Sequence, residues 1–287
     1  MRFGLHLPHL GAPASSAVIR DWAQEAEALG FDSVWVSDHV ASPERVASRY
    51  PYSDDGAWML GPDAPWFDAL GTLAFVAGAT RRVRLGVSVL IVPYRPALVT
   101  AKCCATVDVL SHGRLVLGGG AGWMAEEFAA LGAPFEERGP RTDDYLRAFR
   151  AAWAGAHSYR GPFVEFEGIG CRPLPEGPIP LWVGGTSAAA LRRAGRLGDG
   201  WHALAVSPER MRASWQRVRE HARAAGRDPD RLVLSVRMAE RLPANPGAAA
   251  AFLRSYADAG AELAVLHLGL TGLTPRQFVE EVVPLLR

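Results

Sequence analysis

Eight times along this chain of 287 residues, a short run rich in β-branched and aromatic residues gives way to a longer run with helical spacing. That alternation constrains the fold more than any other feature. Parallel strands need crossover helices, and eight strand–helix units are the number that closes a (β/α)8 TIM barrel of roughly 250 residues. Strands are expected at residues 2–7, 33–36, 83–90, 114–117, 179–183, 200–206, 232–236 and 263–268. Helices are expected at 18–29, 67–79, 97–110, 125–131, 142–153, 188–197, 208–224, 247–259 and 275–286, with Gly30 ending the first. The competing α/β architecture, a doubly wound open sheet, usually carries its glycine-rich loop after the first strand. Here Pro8-His9-Leu10-Gly11 follows that strand, and the glycine-rich stretches follow the fourth and fifth.

Two segments exceed what a plain barrel needs. Residues 40–66, after the second strand, are rich in Pro, Asp and aromatics, including Tyr50, Tyr52, Trp58 and Trp66. Residues 156–178, before the fifth strand, contain a small hairpin around 163–166. Loops this long are functional or disordered. The aromatics argue for order, and the first insertion lies on the strand C-terminal side where barrel active sites form, so it is expected to act as a substrate-pocket lid. No linker or further repeat interrupts the chain, and a single domain spanning 1–287 is expected.

Composition removes several function classes. A net charge of +1 gives no electrostatic case for nucleic acid or an anionic membrane. Mean hydropathy is near zero, and apolar stretches such as 85–92 fall far short of the ~20 residues that span a bilayer. Met1-Arg2-Phe3-Gly4-Leu5 enters a strand directly, without a cleavable signal, so a cytoplasmic protein is expected. Lys102 is the only lysine and sits in a helical run, which argues against a Schiff-base aldolase. Cys103 and Cys104 diverge on a helix and Cys171 stands alone, a pattern of inert thiols rather than a disulfide, redox or metal site.

At the strand ends the residue types become chemical. Asp38 and His39 close the second strand; a carboxylate beside an imidazole can bind a polar heterocycle or hold a proton donor, and can equally be a cap and a surface histidine. His6 and His9 follow the first strand, His202 lies on the sixth and His267 on the eighth. The His-x-x-His spacing departs from the His-x-His of metallohydrolase barrels and no strand carries a lysine, so no metal site is expected. These histidines serve either substrate contact or structure. Gly118-Gly119-Gly120-Ala121-Gly122 ends the fourth strand, and Gly184-Gly185-Thr186-Ser187 opens a helix after the fifth. Glycines allow close backbone approach, and a helix N-terminus binds phosphate. Two such loops on neighbouring strands suit a phosphorylated cofactor; the plain alternative is two tight turns.

Five stretches then resemble a known family: Gly30-Phe31-Asp32-Ser33-Val34-Trp35-Val36-Ser37-Asp38-His39; Leu85-Gly86-Val87-Ser88-Val89-Leu90; Asp108-Val109-Leu110-Ser111-His112-Gly113-Arg114-Leu115; residues 118–128; and Pro180-Leu181-Trp182-Val183-Gly184-Gly185 continuing to Trp201. In this order they resemble the luciferase-like monooxygenase superfamily, particularly its deazaflavin (F420)-dependent oxidoreductase branch. The resemblance implies an isoalloxazine-like ring in the barrel mouth, contacted by Asp38 and His39, with His39 as proton donor. It also implies a bulged non-proline cis peptide at Ser88–Val89. The phosphate would sit at Gly184, Gly185 and Thr186, helped by the backbone of Gly119, Gly120, Ala121 and Gly122. Trp123 and Glu127 match a Gly-Trp-x-x-x-Glu pattern in which Glu127 fixes the helix.

The implied chemistry is F420-dependent hydride transfer to or from a small organic substrate, because the Ser-Asp-His strand end resembles that branch. The alternative is an FMN-dependent two-component monooxygenase using oxygen, and a non-catalytic flavin-binding relative is the third reading. His6, His9, Tyr50, Trp58, His202 and His267 are the expected substrate-pocket residues. A separate flavin or F420 reductase and a homodimer are the expected partners.

Overall fold

In a computed structural model of the protein, residues 1–53, 55–58, 60–238, 242–270 and 272–286 are described. Every expected strand forms, and eight close on themselves in the order β1 (Arg2–His6), β2 (Ser33–Val36), β3 (Arg84–Ile91), β4 (Leu115–Gly120), β7 (Leu181–Gly184), β8 (Gly200–Leu204), β9 (Val233–Arg237) and β10 (Leu263–Leu266), which returns to β1. All eight pairings are parallel. The architecture is the expected (β/α)8 TIM barrel.

The outer layer is α1 (Ser16–Ala28), α2 (Ala69–Ala79), α3 (Ala97–Leu110), α4 (Ala125–Ala130), α5 (Arg138–Trp153), α6 (Ala188–Leu197), α7 (Pro208–Ala224) and α8 (Pro246–Asp258). Helix α5 begins a turn before the expected 142, because Pro140 falls in its first turn where a missing N–H costs nothing. The last segment, expected as one helix, starts at Pro275–Gln277 and passes through π and 3-10 turns to Leu286. The second insertion does form a hairpin, β5 (Tyr159–Arg160) against β6 (Glu165–Phe166). Its turn is pinned by Asp144 of α5, which accepts the Phe163 and Val164 amides at 2.8 and 3.0 Å.

Several strand ends differ from expectation, β8 and β10 each stopping two residues short at Leu204 and Leu266, and the difference that bears on the site is in β4. It was expected to end at 117 with the glycines as a loop, but it runs on through Gly120, pairing Leu90 with Gly119 and Ile91 with Gly120. Inside the barrel, Trp35, Val116, Trp182, Leu263 and Val265 form an apolar plug. Trp35 and Trp182 stack at 5.5 Å, and Gly4 and Gly86 are bare because a Cβ on either would strike the Trp35 side chain, at 2.6 and 2.2 Å. Among the described residues no helix is long and apolar enough to cross a membrane.

Candidate active site

Strand alternation that sends Trp35 and Val265 into the plug sends a second layer of side chains inward just above it, toward the strand C-termini. This layer is polar: His6, Ser88, His202, Ser235, Arg237 and His267. His202 lies flat on Trp35 (5.1 Å, 9°) and spans the barrel, with Nε2 2.6 Å from Ser88 Oγ and Nδ1 2.7 Å from Ser235 Oγ. Burial lowers its pKa to about 3, so it is neutral. Both its nitrogens are engaged. The expectation of a substrate-contacting His202 is therefore corrected to a strut that holds Ser88. His9 is corrected likewise: it is buried, Nδ1 lies 3.1 Å from the Leu7 carbonyl, and Nε2 accepts the Ser37 amide at 3.1 Å. His6 and His267 differ. They stack at 4.2 Å, and among the described residues neither nitrogen of His6 nor Nδ1 of His267 has a partner.

On the opposite wall, the Ser88–Val89 peptide is cis, and the β3–β4 register shifts between Val87 and Leu90. The Val89 side chain turns into a cleft whose walls are glycines. A Cβ at Gly120 would come within 2.8 Å of Val89 Cγ2, one at Gly184 within 2.7 Å of Val89 Cγ1, and one at Gly118 within 2.2 Å of the Val87 carbonyl oxygen. This changes the reading of the fourth-strand glycines. Gly119 and Gly120 are ladder residues, Gly122 is a turn at φ +79° against Ile91 and Phe128, and Ala121 joins them. At Gly118 and Gly120 the missing side chain makes room for the bulge, whereas a Cβ at Gly119 would meet only Val92 and Leu146, at 3.1 and 3.7 Å. Gly184 ends β7, Gly185 turns at φ +99°, and Thr186 stands exposed before the Ser187 cap of α6.

Asp38 is not at the mouth. Its buried carboxylate takes a bidentate pair of hydrogen bonds from Arg95 (both 2.8 Å) and one from the Ile91 amide at 2.9 Å. Arg95 also reaches Asp68, the cap of α2, at 2.9 Å. Both Asp38 oxygens are thus engaged within the protein, where they tie the end of β2 to the end of β3.

His39 does face the mouth. Its Nδ1 lies 2.5 Å from Glu127 Oε2, which also accepts the Tyr94 hydroxyl at 2.8 Å, while Oε1 accepts the Val40 and Ala41 amides at 2.5 and 3.1 Å. Glu127 is fully buried. Burial opposes its charge, but the His39 hydrogen bond and charge and the two amides outweigh it, holding the carboxyl below its ordinary value. Burial and adjacent Glu127 push the Tyr94 phenol up, so it stays a neutral donor. A carboxylate with this many donors fixes the imidazole with Nδ1 protonated and Nε2 free to exchange a proton.

The first insertion closes over this imidazole. Trp58, Trp66 and Trp123 lie 4.9, 4.8 and 6.1 Å from His39 between ring centroids, and Tyr50 packs on Trp58 at 5.3 Å and on Trp123 at 5.1 Å. Glu126 anchors the loop by accepting the Ala47 and Ser48 amides at 2.6 and 2.9 Å. Tyr50, Trp58 and Trp123 therefore form one aromatic cluster beside His39.

A barrel with a bulged, glycine-lined third strand and a lidded His–Glu pair invites comparison with known proteins. The family described as luciferase-like monooxygenase matches residues 1–263. The chain belongs to the luciferase-like monooxygenase family. It is an oxidoreductase. An uncharacterized protein of Mycobacterium tuberculosis is 34% identical over 204 residues, 70% of each chain. An F420-dependent glucose-6-phosphate dehydrogenase of Amycolatopsis mediterranei is 34% identical over 187 residues, covering 63% of this chain and 51% of that enzyme. Among solved structures, an F420-dependent secondary alcohol dehydrogenase in complex with an F420-acetone adduct superposes with a TM-score of 0.81 at 18% identity, over 100% of this chain and 99% of that one.

Within this luciferase-like barrel, sequence reasoning missed Tyr94, Arg95 and Arg237 and underweighted Glu127. Arg237 was open to discovery: it is two residues past Ser235 on a strand of alternating pattern, so it shares the inward face. Tyr94 and Arg95 follow Pro93 in a short 3-10 turn, and nothing in a local pattern says that such a turn folds back onto Asp38 and Glu127.

Proposed function

We propose that this luciferase-like protein is an F420-dependent oxidoreductase that transfers hydride between the deazaflavin and an alcohol or carbonyl carbon of a small organic substrate. The observation that carries this reading is the His39–Glu127 pair at 2.5 Å, buried under the aromatic lid with Nε2 left free. The names of the dehydrogenases it resembles support it.

The residues present fit such a cofactor. The Val89 bulge offers an apolar shelf beside His39, and α6 presents an exposed first turn with Gly185 and Thr186 before it, suited to a phosphate. Bound F420 supplies or accepts the hydride. This chain's residues handle the rest. In the alcohol-oxidising direction His39 Nε2 takes the hydroxyl proton as hydride leaves the carbinol carbon, and Glu127 stabilises the resulting imidazolium. Tyr94 and the two backbone amides keep Glu127 ionised and fixed. The lid excludes water from the transfer.

The same reading makes the protein a cytoplasmic homodimer supplied by a separate reductase when it works in the reducing direction. Its free thiols, Cys103, Cys104 and Cys171, suit a reducing compartment. Exposed Phe67 and Phe75, beside a groove of about 330 Å³ between α1 and α2, suit a second copy. The deciding experiment titrates purified protein with F420 and with FMN, following ring fluorescence. Micromolar F420 binding with negligible FMN binding supports the proposal; preference for FMN replaces it with a reductase-fed monooxygenase that uses oxygen.

A further inference from the structure

Among the described residues Arg237 has no carboxylate partner. Its Nη1 donates to the Ser88 carbonyl at 2.7 Å. The titratable groups that face it are Tyr50, Tyr52, His6, His9, His202 and His267. None can balance its charge. Burial raises the Tyr50 phenol and lifts Tyr52 to about 12, and it pulls His202 and His267 down to about 3 and His6 and His9 below their ordinary value. All six are neutral at neutral pH, whereas a guanidinium stays charged. A desolvated cation among neutral groups is costly until an anion joins it.

Beside it lies a second unfilled demand. His6 is 2% exposed and stacks on His267, and among the described residues neither ring nitrogen of His6 nor Nδ1 of His267 has a hydrogen-bond partner. A neutral imidazole presents one N–H and one lone pair, so this pair complements an oxygen that accepts, donates, or does both. Among the described residues no group of three His, Cys, Asp or Glu is arranged to hold a metal. The position of the cluster matters too. Arg237 and His6 sit on β9 and β1 and His267 just past the end of β10, and the Arg237 guanidinium reaches across the barrel to the Ser88 carbonyl of the bulge, so the cluster borders the shelf on which the cofactor ring would rest.

We propose that Arg237, His6 and His267 form a substrate subsite for a small hydroxy- or oxo-carboxylate, with Arg237 binding the carboxylate and the stacked imidazoles the neighbouring oxygen. One permanent positive charge matches one carboxylate; a phosphate dianion would leave a charge unpaired. The hydride-transfer reading says what happens to such a substrate, and the subsite itself is defined by binding alone.

The test uses mandelate, its neutral amide mandelamide, and phenyl phosphate, with affinities read from quenching of the lid tryptophans in wild-type protein. Mandelate should bind at least tenfold more tightly than mandelamide, and Arg237→Met should weaken mandelate by about 10- to 100-fold, the range of a charged hydrogen bond, while leaving mandelamide unchanged. Arg237→Lys keeps the charge and should recover part of the loss, which separates a binding defect from a folding defect. F420 affinity should be the same in wild type and Arg237→Met. Equal binding of mandelate and mandelamide, absence of mandelate binding, or an unchanged Arg237→Met overturns the subsite. Tighter binding of phenyl phosphate overturns the carboxylate assignment, and loss of F420 binding in Arg237→Met reassigns Arg237 to the cofactor. Failure of wild type to bind F420 while mandelate still binds refutes the cofactor reading and leaves the subsite standing.

Discussion

Lowering the pH should unfold this barrel from its mouth. His202 and His267 both titrate near 3 in the folded protein because burial penalises their charged forms, against an ordinary value of 6.5. The unfolded chain therefore binds protons at these positions as pH falls below 6.5, while the folded chain does not until it nears 3. The sign is fixed: their contribution to stability is complete above the unfolded value and is lost progressively as pH falls toward the folded one. At about 1.4 kcal/mol per pK unit, dropping from pH 7 to pH 5 costs roughly 2 kcal/mol for each histidine, or roughly 4 kcal/mol together. That is a large share of the ~5–15 kcal/mol that holds a typical protein folded. Urea unfolding at the two pH values measures it directly. The double variant His202→Gln, His267→Gln, which cannot titrate there, should lose roughly 4 kcal/mol less than wild type over the same interval. An equal loss in variant and wild type would refute the argument, because the acid sensitivity would then arise elsewhere.

Three further outcomes are expected. Glu127→Gln should lower kcat by about 100-fold or more while leaving F420 affinity intact, since it removes the charge that stabilises protonated His39; steady-state kinetics beside a fluorescence titration tests both halves. Asp38→Ala should destabilise the fold by roughly 3 kcal/mol in urea unfolding, because it strips the bidentate partner from Arg95 and leaves only the exposed Asp68. Gly118→Ala should cost about 3 kcal/mol, with its Cβ facing the Val87 carbonyl oxygen at 2.2 Å, whereas Gly61→Ala, with nothing within 4 Å, should be nearly silent in a thermal melt.

The barrel was legible because periodicity reports burial. Strands flanked by helices read as short β-branched runs, and β2, α3, α6 and α7 fall at their expected bounds. The β4 boundary was not legible, since glycine has little strand preference and its reason for being there, Val89, comes from another strand. The site divides the same way. His39 was placed by its position at a strand end, but what makes it useful, Glu127, lies 88 residues away and was read as a helix anchor. Asp38 shows the converse case. A carboxylate next to that histidine looked chemical, and only the fold reveals Arg95 occupying both of its oxygens. The rim histidines look alike in sequence; hydrogen-bond partners alone separate the satisfied His9 and His202 from the open His6 and His267.

The tryptophan packing around the polar layer has a consequence for proton exchange. Trp35 and Trp182 fill the barrel below the polar layer, while Trp58 and Trp66 stack on the other side beside His39. His39 is only 8% exposed, so its imidazole proton should exchange with solvent more slowly than that of an exposed histidine, and Trp58→Ala should speed that exchange.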